Sequence, residues 1–581
     1  MPKMPDTSQW SGYVQSAVSD TQDGGQGIDA SAVANIPLAT DIAGVRTALW
    51  YENADGFIGR EFPGGSKDVP GEDTWGARVL GTLQVSDSLG ISATVMHEDR
   101  HYGGIQDYTA GETNRKEELV QVTRADTPER VDLNSTIYNI TAKWTPGNFE
   151  WTSSSSYVDL QRSFREEGTE LVAVFFGDPP FPNSFQELYG EYDFTQEIRL
   201  NTIERIRGFD FLAGLFYDEW NLNFNQNWAP EGFSEVFFPI PDNNLFTSFG
   251  SQFSEEFSIF GELSYLLRKD LNLTLGIRHF DIENGSDLTF NGLFNSFLTT
   301  VNQFSSHSKG EVYKANLSYQ PNPDALLYAQ FAEGFRPGQG FATPPPLCGD
   351  IDFPLQLAPD TVASYELGAK TTSFDDRLLF NVAAYRIDWK DMQTATVLPC
   401  GFQIGLNSQT GAKVRGVEVE TVLKLRPELL VGLRGAYNEA TFNGDEQAIG
   451  AFAGDQVQDV PKWSGIAYLE YDFTFGSEWS GLFHADIQET DGAYSDFARL
   501  SDGVTRDPLS FRGITTLVNL RLSARRKNLE VALFGNNLTN DAERQERSQS
   551  AVFDVPGRPR YVVNLPRTVG IEVRLNFGDG S

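Results

Sequence analysis

Long stretches of alternating apolar and polar side chains constrain this chain more than any other feature. Val569, Ile571, Val573, Leu575 and Phe577 interleave with Gly570, Glu572, Arg574 and Asn576. Leu271, Leu273, Leu275 and Ile277 alternate with Asn272, Thr274, Gly276 and Arg278. Tyr192, Phe194, Ile198 and Leu200 do so with Asp193, Thr195, Glu197, Arg199 and Asn201, and the even positions of 514–525 are mostly apolar. A period of two is the signature of a β-strand. Soluble strands average about 5–6 residues, whereas a strand that crosses a bilayer at a tilt needs about 9–11. These stretches have the second length.

The connections sort the strands. Every second one is a short polar turn, such as Ser86-Asp87-Ser88, Thr145-Pro146-Gly147-Asn148, Arg268-Lys269-Asp270 and Lys527-Asn528. Between them lie long Gly/Pro/Asn-rich segments near 56–72, 101–130, 164–188, 223–252, 285–308, 336–360, 442–460, 491–513 and 541–565. This rhythm predicts an all-β transmembrane antiparallel β-barrel of about 22 strands, with short periplasmic turns and long extracellular loops. Arg199, Arg278, Glu572 and Arg574 on the second strand face fit a wet barrel interior, not a filled soluble core. Closure of the sheet pairs the backbone groups that hydrocarbon cannot satisfy.

Composition narrows the function classes. The 581 residues hold 80 acidic and 45 basic side chains, a net charge of −35. A nucleic-acid binder needs clustered Lys and Arg, so that class is set aside. Two cysteines cannot build a disulfide-rich scaffold or a four-cysteine zinc site. No apolar run reaches the roughly 18–20 residues of a transmembrane helix. His97-Glu98-Asp99-Arg100-His101 matches HExxH, whose zinc chemistry requires a helix. Residues 91–96 alternate as a strand, so a strand end at the rim is preferred to a surface metallohydrolase. Gly25-Gln26-Gly27-Ile28-Asp29-Ala30 fits a dinucleotide fingerprint loosely but lies in a hairpin rather than before a helix. No catalytic residue, metal site or cofactor is expected.

Several segments then carry a resemblance. Phe331-Ala332-Glu333-Gly334-Phe335-Arg336-Pro337-Gly338 is followed by Ala358-Pro359-Asp360 and Tyr365-Glu366-Leu367-Gly368-Ala369-Lys370. After these come the strand 381–391, Gly416-Val417-Glu418-Val419-Glu420 and Asn536-Asn537-Leu538-Thr539-Asn540. Together, and in this order, they resemble the TonB-dependent outer-membrane receptors, which import scarce ligands. The resemblance implies a barrel embedded in the outer-membrane lipids of a Gram-negative bacterium. It also implies uptake of a small-molecule ligand such as a ferric siderophore, energised by TonB through a lumen-filling plug. A passive porin-like channel is the alternative. Plug, TonB box and signal peptide are not recognisable in this sequence, and Lys3-Met4-Pro5-Asp6-Thr7 resembles the end of a plug. The expected division is therefore 1–10 as the plug-to-barrel junction, 11–577 as barrel and 578–581 as a short tail.

Ligand contacts are sought on the extracellular loops, with Phe175, Phe176, Phe237, Phe238 and Arg336 as candidates. Phe181, Phe294 and Phe304 belong to the same group, and packing among the loops is the competing reading. Trp50, Tyr51, Tyr265, Trp389 and Tyr468 are expected in the interfacial girdles. Cys348 and Cys400 lie in two long loops on one side of the barrel. In the oxidising compartment implied by the resemblance they are expected to form a disulfide, with two free thiols as the alternative.

Overall fold

The structure, a computed structural model, describes residues 3–109, 119–177, 181–340, 356–397, 403–497, 499, 503–547 and 560–578. Twenty-two long strands form one sheet. The first eleven are β1 (Ser11–Thr21), β2 (Gln26–Ala39), β3 (Ala43–Ala54), β4 (Glu72–Ser86), β5 (Leu89–Tyr102), β6 (Arg130–Trp144), β7 (Phe149–Glu167), β8 (Ser184–Thr202), β9 (Phe209–Trp228), β10 (Phe246–Arg268) and β11 (Leu271–Asn291). The rest are β12 (Thr300–Asn322), β13 (Ala325–Arg336), β14 (Asp360–Ser373), β15 (Leu378–Lys390), β16 (Ala412–Arg426), β17 (Leu429–Phe442), β18 (Trp463–Phe475), β19 (Trp479–Thr490), β20 (Thr515–Arg526), β21 (Leu529–Asn536) and β22 (Thr568–Gly578). Each pairs antiparallel with the next. Ser11↔Gly578 through Thr21↔Thr568 then close β1 onto β22, which removes every sheet edge.

Burial is inverted relative to a soluble protein. Val573, Leu575, Leu520 and Leu522 are exposed, and Leu367 reaches 66%. Polar groups face inward, where the lumen pairs them: Lys314 Nζ lies 2.8 Å from Glu262, Arg521 Nη2 2.5 Å from Glu572, and Arg434 Nε 2.9 Å from Glu420. The lipid face is therefore read by parity. Leu367, Ala384, Val417 and Tyr437 are directly paired across four strands and form one apolar row.

Aromatic rows bound this face. Phe209 stacks on Tyr265 at 4.4 Å and Phe475 on Trp479 at 5.7 Å near the short turns. Tyr138 and Tyr157 meet at 6.3 Å, and Phe331 and Tyr365 at 5.2 Å, nearer the long loops. Tyr51 and Tyr265 belong to these girdles as expected. Trp50, Trp389 and Tyr468 do not, because their positions have the opposite parity. Trp50 Nε1 donates to Glu98 at 3.2 Å, Trp389 Nε1 to Asp360 at 3.0 Å, and Tyr468 stacks on His484 at 6.2 Å.

Beyond the girdles the wall is uneven. β7 to β12 have between 19 and 23 residues, about twice the length that lipid requires. They rise as a palisade on one side and carry the loops that concern function.

Candidate functional site

The loops between β7 and β8, β9 and β10, and β11 and β12 share one apolar core. Val172, Phe185, Trp228, Phe233, Ile240, Leu245 and Phe294 are its buried members. The first loop contributes helix α1 (Thr169–Phe176) and the second the single turn α2 (Phe233–Val236). The Glu167 carboxylate accepts from the backbone N–H of Thr169 at 2.7 Å, and so satisfies an orphan donor at the start of α1. Phe176 is the hub. It packs edge-on against Phe233 at 5.0 Å, is parallel to Phe294 at 6.2 Å, and meets Phe237 and Phe238 at 5.9 and 6.0 Å. All four candidate phenylalanines thus come together in one cap. Phe176 and Phe237 are spent on packing, whereas Phe175 and Phe238, 36% and 42% exposed, present ring surface to solvent.

Arg336 performs a different task. Its Nε donates to both oxygens of Asp360, at 3.1 and 2.9 Å, and its guanidinium lies 5.1 Å from the centre of the Trp389 ring. Trp389 Nε1 and the backbone N–H of Gln393 also donate to Asp360, at 3.0 and 3.1 Å. The Asp360 side chain is 2% exposed and that of Arg336 49%. A buried carboxylate demands this set of partners. Arg336 clamps the extracellular ends of β13, β14 and β15, and it retains an open guanidinium edge.

Two further polar clusters had no sequence signature. Arg60 Nε donates to Gln121 at 2.6 Å and Nη1 to the Thr127 carbonyl at 3.0 Å, while Nη2 pairs with Glu129. Arg560 Nη1 reaches the other Glu129 oxygen at 3.2 Å, and Gln121 Nε2 donates to Asp107 at 2.7 Å. Burial alone would raise the Glu129 carboxyl, but Arg560 and Arg60 outweigh it and hold the group below its ordinary range. This network welds three loops that are far apart in sequence. Glu446 organises a second corner. It accepts from Ser408 Oγ at 2.6 Å, from Thr410 N and Oγ at 2.7 and 2.6 Å, and from Gln409 N at 3.2 Å.

The inner wall at the extracellular end of β7, β8 and β9 is aromatic. Arg162, Tyr189 and Phe224 are directly paired across these strands and share the inward face. The Arg162 guanidinium lies 4.5 Å from the Tyr189 ring centre and 5.2 Å from that of Phe164, and Tyr189 stacks on Phe224 at 6.3 Å. Trp220 Nε1 donates to Glu191 at 2.7 Å just below. The result is a flat aromatic platform with one guanidinium, flanked by Glu187 and Glu191, facing the lumen. Neither motif nor composition points to it, because only cross-strand register brings these residues side by side.

His97 and His101 share one face of β5, about 13 Å apart at the rise of a strand, too far to share a zinc ion. They face outward, bound to Thr136 at 2.9 Å and Asp132 at 2.5 Å. Glu98 faces the lumen, where Arg100 Nη2 donates to it at 3.0 Å. Among the described residues no three His, Cys, Asp or Glu side chains are grouped to hold a metal ion. Cys348 and Cys400, and with them the expected disulfide, lie outside the described residues.

Comparison with known proteins agrees with this architecture. The metal-pseudopaline receptor CntO of Pseudomonas aeruginosa is 28% identical over 246 residues, which is 42% of this chain and 31% of that protein. The match therefore spans under a third of that relative's length. The ferric yersiniabactin uptake receptor FyuA of Yersinia pestis superposes with a TM-score of 0.80 at 17% identity, over 99% of this chain and 81% of that one. The siderophore receptor PiuA of Acinetobacter baumannii gives 0.74 at 13% identity, over 99% and 82%. At these identities the superpositions show the fold. The model of the TonB dependent receptor-like β-barrel matches residues 38–538. Covering most of the chain, that match shows that it belongs to the TonB-dependent receptors of the Gram-negative outer membrane, which are transport receptors and not enzymes.

Proposed function

We propose that this barrel imports a metal chelate of the siderophore class, with uptake energised through TonB. The carrying observation is the Arg162–Tyr189–Phe224 platform at the lumen mouth. Two other concavities of the wall hold more carboxylates than cations: Glu366, Glu418 and Glu420 with Lys370 and Arg434 in one of about 870 Å³, and Asp29, Glu52, Asp486 and Glu572 with Arg521 in another of about 630 Å³. A stacked guanidinium between aromatic faces suits a planar, anionic chelate, through charge and through ring contact. The exposed Phe175 and Phe238 rings would meet such a ligand before it reaches the lumen. The names of the relatives, receptors for metal-pseudopaline and for siderophores, support the same ligand class.

Uptake of radiolabelled iron on a panel of siderophores, in the source bacterium, tests this reading. One ligand should be taken up only when both this gene and TonB are intact. Arg162→Ala should reduce that uptake at least about tenfold, the loss expected for a buried charged contact of about 1.5–3 kcal/mol. Uptake that persists without TonB would instead identify a passive channel.

A further inference from the structure

The outer face of the palisade does not stay apolar above Tyr138, Tyr157 and Phe194. The next directly paired rows are Thr136–Asp159–Tyr192–Asn221, then Asn134–Gln161–Gly190–Asn223, then Asp132–Ser163–Leu188–Asn225. They share the parity of the exposed Tyr138, Tyr157 and Leu215, so they point away from the lumen. β9 alone places asparagine at four successive outward positions, 221, 223, 225 and 227. Carboxamides in hydrocarbon would cost several kcal/mol each, so these rows stand above the acyl chains at headgroup height.

All residues of these rows except Thr136 and Asn221 line a concavity of about 610 Å³. Its floor is Gly190, where an added Cβ would meet nothing within 4 Å. Tyr157 and Tyr192 form the lower edge, stacked at 6.3 Å and 23°. Asp132 is already engaged: Ser163 Oγ donates to it at 3.0 Å, His101 Nδ1 lies 2.5 Å away, and Arg130 Nε donates at 2.8 Å. Asn134, Asp159, Gln161, Asn223 and Asn225 have no side-chain hydrogen bond to any described residue. Five planar polar groups therefore converge, unused, on a floor without a side chain.

We propose that this groove binds the core sugars of a glycolipid in the outer leaflet, the saccharide beyond the acylated head. Planar amides and a carboxylate match the adjacent hydroxyls of a sugar ring, which both donate and accept. The tyrosine faces suit the C–H surface of the same ring. Two cations stand outward at the rim, Arg130, which is held by Asp132, and Arg165, directly paired with it. A phosphate-led contact is therefore the rival reading, and lipid A, which keeps its phosphates, is the probe that separates the two. A docked protein would need an apolar centre, and here only Leu188 and the two tyrosine rings supply one. The groove opens sideways over the lipid, so an anchored glycolipid reaches it at high effective concentration. Its polar groups point away from the lumen, but Arg162, Tyr189 and Phe224 of the platform also line the concavity. Iron uptake is therefore measured on the same variants, to separate loss of this groove from loss of the platform.

Native mass spectrometry of the purified full chain tests the assignment, with core-bearing lipopolysaccharide and lipid A that lacks core sugars as probes. The core-bearing form should be retained at least tenfold better. Gly190→Trp, which fills the floor, should abolish that preference. Gln161→Ala with Asn223→Ala should reduce it several-fold and carries the test if the tryptophan variant does not fold, as judged by heat-modifiable mobility on gels. Deacylated core oligosaccharide should compete only at much higher concentration. Equal retention of lipid A, wild-type retention by the folded variants, or equally tight binding of the free oligosaccharide would each overturn the proposal.

Discussion

Asp360 shows what one buried carboxylate imposes on its surroundings. Arg336, Trp389 and Gln393 all donate to it, the first from the end of β13 and the other two from the end of β15 and the residues just after it. Arg336→Ala should leave the carboxylate short of its charged partner and cost about 2 kcal/mol of local stability, less than for a fully buried pair because the guanidinium is half exposed. Hydrogen exchange should then rise in 336–340 and 356–362, with the barrel strands unaffected. Glu446 gives a residue-scale prediction in pH. Burial pushes its carboxyl up, but the donors from Ser408, Thr410 and Gln409 prevail and hold it below the ordinary value. The folded group thus has the lower pKa. Its contribution is complete above the unfolded value of about 4.3 and is lost as pH falls through the folded one. Protection of the backbone N–H groups of Thr410 and Gly411, corrected for intrinsic exchange, should decline on acidification below about pH 4. Glu446→Gln should be weaker at neutral pH and lack that decline.

Each strand of this barrel works through two faces, and neighbours on β15 separate them. Val382 lies on the lipid side, paired with Ala369 and Val419, whereas Ala383 faces the lumen beside Glu418. Val382→Arg should destabilise by about 2–4 kcal/mol and Ala383→Arg by under about 1, measured by denaturant unfolding in detergent. Equal costs would mean that the faces are misassigned. The cap is the other element-scale unit. Phe176→Ala removes the ring on which α1, α2 and the 292–299 segment converge, so about 3 kcal/mol of cap stability should go, and limited proteolysis should cut the three loops faster. The barrel was legible because period-two alternation over ten residues has few structural meanings, and turn length gave the sidedness. The partition of Trp50 from Tyr51 was not legible from composition, although alternation alone separates them. Arg162 and Tyr189 are 27 positions apart in sequence and meet only through register, as do Arg60 and Glu129 across two loops. Contacts of that kind leave no local periodicity to read.

At the scale of the whole molecule, charge and closure act together. The chain carries −35, and the lumen face includes Glu52, Glu98, Glu366, Glu418, Glu420 and Glu572, of which Arg100, Arg434 and Arg521 match Glu98, Glu420 and Glu572. Twenty-two strands enclose an interior too wide for side chains to fill, so these carboxylates act across water. Their field extends about 10 Å in 0.1 M salt and about 3 Å in 1 M. The 581-residue chain, refolded and inserted into planar bilayers, should therefore conduct potassium in preference to chloride in 0.1 M potassium chloride. The reversal potential under a salt gradient should shift accordingly, and the preference should shrink in 1 M salt as screening confines the field to the wall. Glu366→Gln with Glu418→Gln should weaken the preference at low salt and change little at high salt. Anion selectivity, or a preference insensitive to salt, would mean that the acidic face does not line the conducting path, and the inside–outside assignment of these strands would have to be reversed.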